Sequence, residues 1–150
     1  MNRMIVAGLA GVAVMTTAVA ARPTASETER NRAIVTAFAE QFYARRDVKG
    51  AFDRFVAPDY IQHNPGIADG RDAAVAALAD KFATPGARFD VKRILVDGDL
   101  AMIHLHGRTD PASRGGAVAD IYRLKDGRIV EHWDVIQPIP ATARNPHPMF

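Results

Sequence analysis

The chain has 150 residues, a formal net charge of +2, 48% hydrophobic and 24% charged residues, and no cysteine. Those values fit one ordinary globular domain. They exclude disulfide staples, cysteine-ligated metal and thiol nucleophiles, and the lack of any Lys/Arg run argues against nucleic acid as a partner.

Met1-Asn2-Arg3 is short and basic, and Met4 to Ala21 then carries no charge and ends in Ala18-Val19-Ala20-Ala21 before Arg22-Pro23. That pattern predicts a signal peptide over residues 1–21, cleaved after Ala20 or Ala21, and hence an exported protein, periplasmic or secreted. The alternative is an uncleaved anchor, since the uncharged run is just long enough to span; its Ala, Gly and Thr content makes it only mildly apolar. Cleavage removes Arg3 alone among the charges, leaving +1 and no membrane association. Residues 22–26 read as a linker, 27–140 as the folded domain and 141–150 as a Pro-rich tail.

Ser26 with Glu29 is a capping-box pattern opening a helix from about Glu27 to Arg46. Ile34, Val35, Phe38, Phe42 and Tyr43 share one of its faces. Asp47 is placed to cap a short second helix carrying Phe52, Phe55 and Val56, which Pro58 ends. Tyr60 to Gly66 reads as irregular, because Pro65 disfavours helix at Asn64 and Gly66 suggests a turn. A third helix spans about Arg71 to Ala83, with Val75, Leu78, Ala79 and Phe82 as its apolar face, and Thr84-Pro85-Gly86 stops it.

The period then changes from 3.6 to 2. Strands are predicted over Phe89–Val96, Leu100–Arg108, Ala117–Leu124 and Arg128–Gln137, the last ended by Pro138 and Pro140. Helices followed by a run of antiparallel strands is the α+β order, with helices covering one face of a strongly bent, mostly antiparallel sheet.

In the second of these strands Met102, His104 and His106 share a face, and Ile103 and Leu105 share the other. Val118, Asp120, Tyr122 and Leu124 lie together on the third strand, and Val130, His132, Asp134 and Ile136 on the fourth. A two-residue Asp126-Gly127 turn would set Asp120 beside Trp133. A three-residue turn would set it beside His132 and on the face of Asp134, and one residue of slip decides between them. The second register is preferred, because it gathers the polar groups where they can satisfy one another. One concave, mostly apolar face would then carry His104, His106, Asp120, His132 and Asp134, with Tyr122 alongside and His63 and Asn64 at the rim. Small-molecule sites are built in this way.

The segments Tyr60-Ile61-Gln62-His63-Asn64-Pro65, Gly70-Arg71, His104-Leu105-His106-Gly107, Asp120-Ile121-Tyr122-Arg123 and Asp126-Gly127-Arg128-Ile129-Val130-Glu131-His132-Trp133-Asp134 resemble the SnoaL-like polyketide cyclase branch of the nuclear transport factor 2 superfamily. The likeness covers residues 27 to 140 and is greatest to a subgroup of predicted SnoaL-like aldol-condensation enzymes. It implies a cone-shaped α+β barrel with a deep pocket, often a homodimer through the outer sheet face. In SnoaL-like cyclases an acid/base aspartate has a histidine near it on the preceding strand; the matching positions are Asp120 and His106. In the related limonene epoxide hydrolases, a carboxylate on the last strand and a Tyr/Asn pair hold a water, and Asp134, Tyr60 and Asn64 sit in comparable places. Those enzymes carry Arg and Asp where this chain has His104 and His106.

The residues themselves suit proton transfer beside a carbonyl on a small hydrophobic compound. A carboxylate in an apolar pocket is a stronger base, which suits Asp120. His106 or His132 would donate to the enolate oxygen, with His104 as a further donor or orienter. Asp134 would act directly or hold His132, and Tyr60, His63, Asn64, His104 and Tyr122 would line the substrate site. His104, His106 and His132 also admit a metal reading, but no Glu stands as a fourth ligand, so neither metal nor cofactor is expected. The alternatives to a lyase or isomerase are a non-catalytic binding module with the same pocket and a structural dimerisation domain whose pocket is filled.

Overall fold

Aromatic residues at Phe38, Phe42, Phe52 and Phe55 fix how the N-terminal helices pack. A computed structural model describes residues 25–150. The leader expected at 1–21, part of the linker expected at 22–26 and the Ser26 side chain of the expected capping box lie outside the described residues. Helix α1, Ala25–Ala39, runs on into a π-helical turn, Glu40–Ala44, and Arg46 in the left-handed region (φ 59°) ends it. Asp47 caps α2, Val48–Phe55, by accepting a hydrogen bond from the Gly50 N–H at 2.9 Å. Phe38, 1% exposed, meets the rings of Phe42, Tyr43, Phe52, Phe55 and Tyr122 at centroid distances of 5.0 to 6.3 Å. Among the described residues, no helix is long and apolar enough to cross a membrane.

The segment expected to be irregular is a strand, β1, Val56–Gln62. Val56, expected in the second helix, begins it. Pro58 lies inside β1, and this is tolerated because β1 is an edge strand, where a missing N–H costs no interior ladder bond. Helix α3, Arg71–Ala83, follows at its predicted bounds. Strands β2 (Arg88–Asp97), β3 (Leu100–Arg108), β4 (Gly116–Lys125) and β5 (Arg128–Pro138) complete a sheet in the order β1-β5-β4-β3-β2. Only β1 and β5 run parallel; the other pairs are antiparallel. The helices pack on one face of this open five-stranded sheet, and the fold is the expected cone-shaped α+β arrangement.

The β4–β5 register follows neither alternative read from the sequence. The turn has two residues, Asp126 (φ 51°) and Gly127 (φ 76°), both left-handed as a primed hairpin turn requires. Lys125 therefore pairs with Arg128 and Leu124 with Ile129, but Arg123 pairs with Glu131. Val130 is the extra residue of a β-bulge. The bulge restores the parity that the short turn would have lost. Tyr122 now faces His132, and Asp120 faces Asp134 directly.

The β3–β4 register overturns the placement expected for His104 and His106. Ile103 pairs with Asp120, whereas His104 pairs with Ala119 and His106 with Ala117. Ile103 and Leu105 thus share the inner face with Asp120, and both histidines stand on the outer face. Burying each large aliphatic residue is worth about 1.5–3 kcal/mol, and a half-exposed imidazole gives up nothing comparable. His104 instead lies 2.6 Å from the Arg93 guanidinium, through Nδ1. His106 donates from Nε2 to the Arg114 carbonyl at 2.8 Å and stacks on Phe150 at 4.7 Å. The Pro-rich tail, tied on by Ile139 N–H to the Gly115 carbonyl, therefore ends against the outer face, away from the cavity.

The aromatic cluster makes a direct prediction. Phe38→Ala should lower the unfolding free energy by about 3–5 kcal/mol, the usual cost of emptying a buried aromatic site, measured by urea unfolding with an unchanged m-value.

Candidate functional site

Between the helices and the inner sheet face lies a cavity of about 470 Å³. Phe42, Phe52, Leu78, Phe82, Phe89, Leu105 and Val118 supply apolar walls, and Tyr43, Tyr60, Gln62, Asn64, Asp120, Tyr122, His132 and Asp134 supply the polar groups. Asp120 is 9% exposed and His132 7%. A lone carboxylate at that depth would cost several kcal/mol. It is held because other elements bring it donors.

Asp120 Oδ1 lies 3.1 Å from His132 Nε2, and Oδ2 accepts from the Tyr43 hydroxyl at 2.5 Å. The Tyr43 and Tyr122 hydroxyls are 2.7 Å apart. Burial, and then the Asp120 charge, push both phenols well above their ordinary range. They stay neutral, so Tyr43 remains a donor to the carboxylate.

The far side of His132 fixes its tautomer. Its Nδ1 is 2.9 Å from Gln62 Oε1. That same oxygen accepts the Asn64 backbone N–H at 2.9 Å, while Gln62 Nε2 donates to the Tyr60 hydroxyl at 3.1 Å. Gln62 Oε1 is thus an acceptor, and Nδ1 of His132 carries a hydrogen, assigned here from its partners. The ring is thereby oriented with Nε2 toward Asp120 Oδ1. Tyr60 is held neutral by burial first, with Asp120, Asp134 and Asp69 adding to the effect. Among the described residues its hydroxyl hydrogen has no acceptor, so it is available to a molecule in the cavity.

Asp134, half-buried, accepts from Asn64 Nδ2 through Oδ2 at 2.5 Å. Asn64 is held by its own turn, with Oδ1 accepting the Gly66 N–H. The expected residues Tyr60, Asn64, Asp120, Tyr122, His132 and Asp134 therefore come together. His63, His104 and His106 do not. His63, expected at the rim, lies on the outer face, stacked on Trp133 at 4.7 Å and 2.8 Å from Glu131 Oε1.

Sequence reasoning missed Tyr43 and Gln62. Tyr43 was assigned to an apolar helix face, and the π-helical turn that aims its hydroxyl has no sequence signal of its own. Gln62 was findable, because Tyr60, Gln62 and Asn64 alternate, and reading that segment as a strand would have put all three on one face. Tyr43→Phe strips Asp120 Oδ2 of its donor and Tyr122 of its partner. It should cost about 1–3 kcal/mol of unfolding free energy, whereas Tyr→Phe changes at exposed sites cost far less; equilibrium unfolding checks this.

Comparisons with known proteins agree with this fold. Residues 32–132 match the family model of the SnoaL-like domain. An NTF2-like protein of unknown function from Mesorhizobium loti is 25% identical, with 74% of this chain and 93% of that one covered at a TM-score of 0.64. A candidate SnoaL-like polyketide cyclase from a Jannaschia species (21% identity, 77% and 91% covered, TM-score 0.60) and a candidate ketosteroid isomerase from Kribbella flavida (20%, 81% and 93%, 0.63) share the fold. A comparison with curated proteins finds no match. With the family model covering most of the described residues and the same architecture in these structures, the chain belongs to the SnoaL-like family of the nuclear transport factor 2 superfamily.

Proposed function

We propose that the protein is an enzyme that moves a proton next to the carbonyl of a small hydrophobic compound, in an aldol-type cyclisation or an isomerisation. The observation that carries this reading is the Asp120–His132 pair, 3.1 Å apart and buried in a largely apolar cavity.

Asp120, as carboxylate, takes a proton from the carbon beside the carbonyl. The electron pair moves onto the carbonyl oxygen as an enolate. Tyr60, kept a neutral phenol by burial, is available to donate to that oxygen. The proton on Asp120 then returns to a different carbon, which completes an isomerisation. In the aldol case the enolate carbon attacks a second carbonyl, and the proton neutralises the new alkoxide. Tyr43 and His132 fix the carboxylate's orientation throughout, and Gln62 fixes the ring of His132. The role read for His106 beside Asp120 passes to His132, since His106 is on the outer face. The leader expected over residues 1–21 belongs to the same proposal and puts the reaction outside the cytoplasm.

Solvent-deuterium exchange next to the carbonyl tests the reading without knowledge of the natural substrate. Wild-type protein should accelerate exchange into 2-tetralone, a compact hydrophobic ketone, followed by NMR. Asp120→Asn should lower that rate by about 10²-fold or more with no comparable loss of thermal stability. An unaffected rate contradicts the assignment of Asp120, and ketone binding with no exchange in the wild type makes the protein a ligand-binding module instead.

A further inference from the structure

Asp120 and Asp134 stand directly opposite each other on neighbouring strands. Like charges in that position destabilise a sheet, and more so at the edge of an apolar cavity than in water. Among the described residues that line the cavity the only permanent cation is Lys81, which is exposed near the C-terminal end of α3. The pair therefore lacks a fixed positive charge.

The three side chains at this point are prepared in the same way. Each has its distal atom tied by a neutral neighbour. Tyr43 holds Asp120 Oδ2, Gln62 holds His132 Nδ1, and Asn64 holds Asp134 Oδ2. A histidine that donates its other ring N–H, beside carboxylates that accept hydrogen bonds on their far oxygens, is how metal ligands are oriented in proteins. One ligand atom from each of Asp120, His132 and Asp134 lies within 4.8 Å of the others. The 3.1 Å from Asp120 Oδ1 to His132 Nε2 suits a hydrogen bond. It also lies near the spacing of two adjacent ligands of one ion, which with bonds of about 2.1 Å stand about 3.0 Å apart at a right angle and about 3.4 Å apart at a tetrahedral one.

We infer that Asp120, His132 and Asp134 form a binding site for one first-row divalent cation, with Tyr43, Gln62 and Asn64 orienting its ligands. Two carboxylates offset the ion's charge, and the mixed oxygen–nitrogen set suits zinc or manganese. The remaining coordination positions face the cavity. The site differs from the one weighed from sequence, because the outer-face histidines at 104 and 106 take no part. The inference does not rest on the proton-transfer reading, since it needs no carbon acid. The cation takes the place of the direct contact between Asp120 and His132, so the two uses of that gap exclude each other.

The test is titration of EDTA-stripped protein with zinc, and separately with manganese, by isothermal calorimetry without any organic ligand. One ion per chain should bind saturably. Asp134→Asn, at a half-buried position, should weaken binding at least tenfold, and His132→Gln should abolish it. The double variant His104→Ala, His106→Ala should bind like wild type. No saturable binding of either ion overturns the inference, as does binding that survives Asp134→Asn or is lost in the outer-face double variant. Deuterium exchange by the stripped protein reports on the proton-transfer reading alone, so the two can fail separately.

Discussion

A carboxylate stays inside this cavity only because separate parts of the chain bring it hydrogen-bond donors. Asp120 receives the Tyr43 hydroxyl from the end of the first helix and faces the His132 ring from β5. β1 supplies Gln62 behind that ring. Loss of either donor would leave a buried charge incompletely solvated, at a cost of about 1–3 kcal/mol against a total stability of typically 5–15 kcal/mol. The site and the fold are therefore coupled. The helices must dock on the sheet for Tyr43 to arrive, and β1 must join β5 for Gln62 to reach His132.

Register carries the same constraint along the chain. The Asp126-Gly127 turn alone would pair Asp120 with Trp133 and send His132 to the outer face. Val130, bulged out of the ladder, corrects that by one residue. The result is a β5 whose two faces have different work. His132 and Asp134 point into the cavity, while Glu131 and Trp133 face outward. There Trp133 takes the His63 ring, and Glu131 takes His63 and Arg123. Hydrogen bonding from His63, and then from Arg123, holds the Glu131 carboxyl below its ordinary range.

Much of this was legible in the sequence, and the failures have physical causes. Helix α3 and strand β3 came out at their predicted bounds, since apolar periodicity, Gly70 and the flanking turns all agree. β1 was hidden by Pro58 and Pro65, which read as breakers although an edge strand tolerates the first. Asp120, His132 and Asp134 stand out because polar groups in apolar strands need partners, whereas Tyr60 and Asn64, in a segment that reads as irregular, are picked out by the family resemblance. His104 and His106 were misplaced because alternation tells which residues share a face and not which face is inside. That choice fell to Ile103 and Leu105, whose burial outweighs any preference of the imidazoles. Tyr43 could not be seen, because its phenol reaches Asp120 across 77 residues of sequence.

The central claim is that His132 is locked between Gln62 and Asp120, with its Nδ1 hydrogen held by the former. Nitrogen-15 NMR of the imidazole in the ligand-free protein at neutral pH tests it most directly. The account predicts a protonated Nδ1 whose hydrogen exchanges slowly with water and becomes fast-exchanging when Gln62 is replaced by Leu. A His132 ring carrying its hydrogen on Nε2 alone, or exchanging it as freely as an exposed histidine, would contradict the account.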